Sequence, residues 1–226
     1  IVFGKINEIQ NRNAVKPPEN AQANLDKAVA SEASLKKGDL VVVDDSQVNS
    51  VELGVANRMR NMGRTVIFYK AANQRGIGYN GAVSSDANTI YIRAANAGPN
   101  VFSNIRSVRS RRLVEREYER IVLQIARHEN IHLLERSKDP EDKKYIELLD
   151  NLIMTTMTGE AALAETFEDA QLILAQTELG ISESDAKKLF ESPKGRKKIL
   201  SELRAEAATK IDDLRIVGGD TMFMNQ

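Results

Sequence analysis

The chain has 226 residues, with 32 basic and 32 acidic side chains and therefore no net charge. This balance gives no reason to expect a nucleic-acid or membrane partner. The absence of cysteine excludes disulfides and thiol chemistry and favours a reducing compartment such as the cytoplasm.

The first 37 residues are predicted to form an N-terminal appendage or linker. Residues 11–20 are polar and turn-rich, and the alanine-rich residues 21–35 favour a short helix. The chain begins at Ile1 and not at methionine, so we expect it to be excised or processed from a longer protein.

A strand, a helix and a second strand follow in close succession. Leu40–Val43 and Thr65–Tyr69 are short runs rich in β-branched residues, as is typical of strands. Residues 50–62 between them read as a helix that Ser50 caps and Gly63 ends. This order favours a right-handed β-α-β crossover.

The remaining elements complete a domain predicted to span residues 38–217. Residues 76–81 read as a flexible glycine-rich loop, and residues 88–93 read as a third strand. Helices are predicted over residues 107–136, 140–157, 158–171, 182–190 and 193–214. Residues 218–226 are predicted to be a flexible tail.

Both histidines of the chain lie in one five-residue segment, His128-Glu129-Asn130-Ile131-His132, which reads H-E-x-x-H. The surrounding helix lacks glycine and proline, and its spacing predicts an inward-facing stripe that includes both histidines. The other predicted members of the stripe are Leu113, Tyr118, Ile121 and Ile125.

The spacing of these histidines suits a metal ion. Residues i and i+4 project from one face of an α-helix, so both imidazoles can reach the same cation. Glu129 lies about 100° round the helix, where it can hold and deprotonate a metal-activated water. These residues indicate a metal-dependent hydrolase with Glu129 as general base, and the ion that the motif most often binds is zinc.

The third protein ligand is left open by the sequence. Catalytic zinc usually has three protein ligands, and with no further histidine and no cysteine the third must be Asp, Glu or, less commonly, Tyr. Glu160, Glu165 and Glu168 lie on the predicted helix downstream of the motif. Periodicity alone does not choose between Glu160 and Glu165.

H-E-x-x-H followed by a helix that carries E-x-x-x-D resembles the gluzincin metallopeptidases. Residues 165–169, Glu-Thr-Phe-Glu-Asp, match the second motif. The resemblance implies that Glu165 is the third zinc ligand, with Glu160 as the alternative. It also implies that Asp169 orients a histidine ligand by accepting its second ring N–H.

The resemblance further implies a fold and an activity. The fold would be α+β and zincin-like, with a small mixed β-sheet, an active-site helix and a mostly helical C-terminal half. The activity would be zinc-dependent hydrolysis of a protein or peptide with one zinc ion. Ile90, Tyr91 and Ile92 would lie on an exposed edge strand that pairs with an extended substrate, although an ordinary strand is an equal alternative.

The sequence leaves open two questions about function. A donor for the oxyanion must be a tyrosine, an arginine or a backbone N–H, because the chain has no third histidine. The tyrosines considered are Tyr79, Tyr91, Tyr118 and Tyr145. The alternative function is a metal-holding but non-catalytic interaction module of a larger protein.

Overall fold

The computed structural model describes residues 17–29, 40–71, 81–84, 88–94, 105–155, 167–177 and 179–216. The chain divides into two compact units, Ile1–Asn130 and Ile131–Gln226, and the division falls inside one long helix. The predicted domain boundaries at residues 37 and 217 lie outside the described residues and stay predictions.

The first unit contains a four-stranded mixed sheet. Its strands are β1 (Leu40–Val43), β2 (Thr65–Ala71), β3 (Gly81–Val83) and β4 (Thr89–Arg93), in the order β1-β2-β4-β3. Its helices are α1 (Ala21–Val29), α2 (Ser50–Asn61) and most of α3 (Val108–Leu134), with a 3₁₀ turn at Asp45–Gln47. The predicted short helix within residues 21–35 and the three predicted strands are thus present.

All the regular secondary structure in the described residues of the second unit is helical. After the end of α3 it contains α4 (Pro140–Thr155), α5 (Phe167–Thr177), α6 (Glu183–Phe190) and α7 (Pro193–Ile216). A small mixed sheet with a mostly helical second half confirms the α+β class. Ser182 caps α6 by accepting a hydrogen bond from the Asp185 N–H at 3.2 Å.

The direction of β1 contradicts one prediction from the sequence. β1 pairs antiparallel with β2, so the two strands do not form a β-α-β crossover, and the parallel partner of β2 is β4. Local pattern sets the type of each element, but a strand's direction follows from the neighbour with which it pairs. That choice involves residues far apart in the chain.

The position of β4 contradicts a second prediction. Ile90, Tyr91 and Ile92 pair with β2 on one side and with β3 on the other, and all three are fully buried. β4 is therefore an internal strand and not an exposed substrate-binding edge. β3 was missed because Gly81–Val83 is too short to show a strand period and begins at the end of the predicted loop.

Helix α1 is part of the sheet's core. Ala21 and Leu25 are buried with Leu40, Ile67, Tyr69 and Tyr91, which form one hydrophobic cluster. The Gln22 amide donates to the Leu40 carbonyl and accepts from the Val42 N–H, both at 2.9 Å. These bonds satisfy backbone groups of β1 that do not point at β2, so this part of the predicted appendage packs with the sheet.

Helix α2 begins with a capping box that joins it to α3. Asn49, and not the predicted Ser50, is the cap: its side chain accepts from the Glu52 N–H at 2.9 Å, and Glu52 accepts from the Asn49 N–H at 3.1 Å. The Glu52 side chain is fully buried and also accepts from the Tyr118 hydroxyl at 2.6 Å. This bond ties α2 to α3 within the first unit.

The helices of the second unit pack around two apolar clusters. The first comprises Ile131, Leu134, Leu149, Ala205 and Ala208, from α3, α4 and α7. The second comprises Ile153, Ala175, Ala186, Ile199 and Leu203, from α4 to α7. α7 contributes to both clusters, so the side chains on its other faces have fixed positions relative to α4 and the end of α3.

Candidate metal centre

The H-E-x-x-H segment lies in the last turns of α3, as predicted. The buried positions of this helix include Val122, Ala126, Glu129, Asn130 and Leu133. Both histidines are half-buried, with 14% of the His132 side chain exposed. They therefore lie at the margin of the buried face, where a ring can contact neighbouring helices and still reach solvent.

The inward stripe predicted for α3 is wrong in its N-terminal half. Leu113 is 59% exposed and Ile121 is 42% exposed. The buried face follows Val122, Ala126 and Glu129 instead, one position round the helix from the predicted stripe. Apolar residues recur at three- and four-residue steps on the predicted face and on the buried face, so periodicity alone did not distinguish the two faces.

Glu129 packs closely against the sheet of the first unit. It is buried, and a Cβ atom placed on Gly81 of β3 would lie only 2.6 Å from its Cγ and Oε1 atoms. Glycine at position 81 therefore leaves the space that the Glu129 side chain occupies.

The Glu129 carboxylate also influences Tyr69. Burial raises the pKa of the Tyr69 phenol well above its usual value, and the nearby negative charge of Glu129 raises it further. Tyr69 therefore stays a neutral phenol beside this carboxylate at any physiological pH. Asn130, the unusual polar residue of the motif, accepts a hydrogen bond from Arg64 Nε at 2.8 Å.

The two ring nitrogens of His132 face two residues of α7, and one of them makes a hydrogen bond. Its Nδ1 lies 2.9 Å from Ser201 Oγ, and its Nε2 lies 3.8 Å from Glu202 Oε2. Ser201 Oγ in turn donates a hydrogen bond to Glu135 Oε2, just beyond the end of α3. The sequence did not indicate Glu135, Ser201 or Glu202 as site residues.

A half-buried network of charged side chains adjoins this contact. Arg204 donates to Glu135 Oε1 at 2.8 Å and to both oxygens of Asp150 on α4, at 2.6 and 2.7 Å. Burial alone would raise the pKa of the Glu135 carboxyl, but the His132 ring, the Ser201 hydroxyl and Arg204 outweigh it and lower that pKa to about 2. Glu135 is therefore a carboxylate at neutral pH.

Three possible metal ligands converge here among the described residues. One donor atom each of His128, His132 and Glu202 lies within 4.8 Å of the other two. Two imidazoles and a carboxylate form one of the ligand sets found at catalytic zinc. In a tetrahedral zinc site neighbouring donor atoms are roughly 3.4 Å apart, so the 3.8 Å between His132 Nε2 and Glu202 Oε2 needs only a small closure.

The carboxylates that were expected to complete the site stay predictions. Glu160 and Glu165 lie outside the described residues. Asp169 lies on α5 and is exposed. No local signal could have indicated Glu202, because it follows His132 by 70 positions on a different helix. Glu135 had a signal that was missed, since it follows His132 by three helical positions.

Two of the tyrosines considered as oxyanion donors hydrogen-bond elsewhere. Tyr91 donates to the Ala21 carbonyl at 3.3 Å, and Tyr118 donates to Glu52. Tyr145 is 40% exposed on α4, and Tyr79 lies outside the described residues.

Compared with known proteins, the chain matches no protein-family model, no curated protein and no solved structure. Among the helices of the described residues, none combines the length and the apolar character needed to cross a membrane.

We expect Gly81→Ala to destabilise the protein, because the added methyl group would overlap Glu129. The loss should be about 1–3 kcal/mol in the free energy of unfolding, measured by urea denaturation. Gly54→Ala is the control, because a Cβ atom added at this helical position meets nothing within 4 Å. This substitution should raise the free energy of unfolding by about 0.5–1 kcal/mol. Equal effects of the two substitutions would contradict the close approach of Glu129.

We also expect the Glu135 network to make stability depend on pH in acid. The folded-state pKa of about 2 lies below the ordinary value of 4.5, so this stabilisation is complete above about pH 4.5 and is lost as the pH falls toward 2. Arg204→Met should reduce the slope of unfolding free energy against pH in that window. Lys194→Met, at an exposed position, should keep the wild-type slope in the same metal-free buffer.

Proposed function

We propose that this protein is a zinc-dependent peptidase. One zinc ion would be held by His128, His132 and a carboxylate, and Glu129 would be the general base. The observation that carries the proposal is that donor atoms of His128 and His132, on the helix that bears H-E-x-x-H, converge with a carboxylate oxygen of Glu202 on α7. The resemblance of the sequence motifs to gluzincins supports peptide bonds as the substrate.

A zinc ion bound there would polarise a substrate carbonyl and lower the pKa of a water molecule toward 7. The two histidines are on consecutive turns of one helix, so helix geometry holds their donor atoms on one face. Glu129 follows His128 directly and is held by its packing against Gly81. It would accept the proton of the attacking water and deliver it to the leaving amine.

We propose Glu202 as the third ligand. Its Oε2 faces His132 Nε2, and α7 is held in place by the apolar clusters and by Arg204. Glu165, which the gluzincin resemblance favours, is the competing ligand. Substitution can distinguish Glu202 from Glu165, because loss of a metal ligand lowers zinc affinity far more than loss of a carboxylate that does not bind the metal.

The second candidate function is a metal-holding interaction module without catalysis. It is favoured by the burial of Glu129 against the sheet, since a carboxylate with only 9% exposure can also be a structural group beside Tyr69. In that case the metal ion would order the end of α3, and Glu129 would contribute to packing alone.

The two functions are separated by zinc content and peptide cleavage in wild type and Glu129→Gln. A peptidase should bind one zinc per chain in both proteins, while Glu129→Gln should lose cleavage by about 100-fold or more, because it cannot accept the proton. Zinc binding without cleavage by wild type would favour the interaction module. Equal cleavage by both proteins would eliminate Glu129 as the base.

The third ligand is tested by comparing Glu202→Gln with Glu165→Gln in zinc titrations by calorimetry. We expect Glu202→Gln to weaken zinc affinity at least 100-fold and Glu165→Gln to leave it within about threefold of wild type. The reverse result would assign the site to Glu165. Glu206→Gln, on the same helix one turn beyond Glu202, controls for the lost negative charge.

A further inference from the structure

The strongest feature that the proposed mechanism does not use is the hydrogen-bond chain behind His132. It runs from His132 Nδ1 to Ser201 Oγ, from Ser201 Oγ to Glu135 Oε2, and from Glu135 Oε1 to Arg204. Arg204 continues it to Asp150. All five residues belong to the second unit.

The chemistry of each group sets the direction of this chain. A guanidinium has only donors, and an ionised carboxylate has only acceptors. Glu135 must therefore accept from Arg204 with one oxygen and from the Ser201 hydroxyl with the other. The single hydroxyl proton of Ser201 is then committed to Glu135, so Ser201 Oγ can only accept from the imidazole.

His132 must consequently carry a proton on Nδ1. Nδ1 lies 2.9 Å from Ser201 Oγ but 3.7 Å from the nearer Glu135 oxygen, so the serine is the hydrogen-bond partner. In a neutral ring this places the lone pair on Nε2, the nitrogen that lies 3.8 Å from Glu202 Oε2. A lone pair directed at a carboxylate oxygen suits a cation bound by both atoms.

We propose that Ser201 and Glu135 are positioning residues that hold His132 in its Nδ1–H tautomer, with Nε2 directed toward Glu202 to bind the metal. The metal-binding role rests on the proposed function, whereas the tautomer depends only on the described contacts. Arg204 donates to one oxygen of Glu135, which leaves the other oxygen to accept from Ser201.

Two substitutions act on this chain in different ways. Ser201→Ala removes the hydrogen-bond acceptor for Nδ1–H and so weakens the preference of the ring for this tautomer. Glu135→Gln should reverse the chain, because Arg204 would keep the amide oxygen and turn the amide NH₂ toward Ser201. Ser201 would then donate to Nδ1, and the proton of His132 would move to Nε2.

The tautomer is measured by long-range ¹H–¹⁵N spectra of the metal-free protein at about pH 8, where a free imidazole is neutral. The chain has only two histidines, and His128→Gln identifies the signals of His132. We expect the Nδ1–H form in wild type, a mixture in Ser201→Ala and the Nε2–H form in Glu135→Gln. An Nε2–H form in wild type, or the same tautomer in wild type and Glu135→Gln, would overturn the proposal.

Zinc affinity provides the second measurement. Removing a group that orients a histidine ligand typically weakens metal binding by about 10- to 100-fold. We expect a loss near the lower end for Ser201→Ala and a larger loss for Glu135→Gln. Thr209→Val, which removes a hydroxyl that bonds to the Glu206 carbonyl of the same helix, should leave affinity unchanged. Wild-type affinity in Ser201→Ala and Glu135→Gln would also overturn the proposal.

The two measurements separate this proposal from the peptidase assignment. If wild type binds no zinc but His132 has the Nδ1–H form, the proposed metal site and the metal-binding role of the chain fail, while the tautomer assignment stands. If zinc binds and the tautomer is Nε2–H, the metal site stands and the positioning role fails.

Discussion

The hydrogen bond between His132 and Ser201 connects the chemistry of this protein to its packing. A histidine on the surface of an isolated helix would sample several rotamers and both neutral tautomers. Here the ring of His132 is hydrogen-bonded to Ser201, and Ser201 donates to Glu135. Arg204 donates to both Glu135 and Asp150. The apolar clusters shared by α3, α4 and α7 bring these groups together, because no two of the three helices could separate without breaking them.

Neighbouring positions on α3 have different physical environments. Glu129 is buried against Gly81 and beside Tyr69, where the low dielectric favours neutral groups and keeps the Tyr69 phenol protonated. His132 lies at a half-buried position among polar partners that keep Glu135 ionised. The half-buried position of His132 agrees with the role proposed for it as a metal ligand, whereas the burial of Glu129 agrees with either candidate function.

Several details of the fold were predictable because they depend on neighbours in sequence. The bounds of β1 and α2, the left-handed glycine at position 63 and the long helix through residue 134 follow from side-chain pattern and backbone sterics. The direction of β1, the internal position of β4 and the existence of β3 depend on pairing between distant segments. The cap of α2 on Asn49 also has a local signal, because Asn49 and Glu52 have the spacing of a capping box.

For the candidate site the same distinction holds. Two histidines separated by one helical turn, with a carboxylate between them, are determined by the sequence, because i and i+4 share a face of any α-helix. Glu202 and Ser201 join them only through packing of α7 against the end of α3, which brings together residues about 70 positions apart, whereas Glu135 follows His132 by three positions. The sequence by itself determined that two histidines and a glutamate share one helical segment; the tertiary structure decided which carboxylate faces them and which nitrogen of His132 is directed at it, because hydrogen-bond direction depends on the complete set of partners.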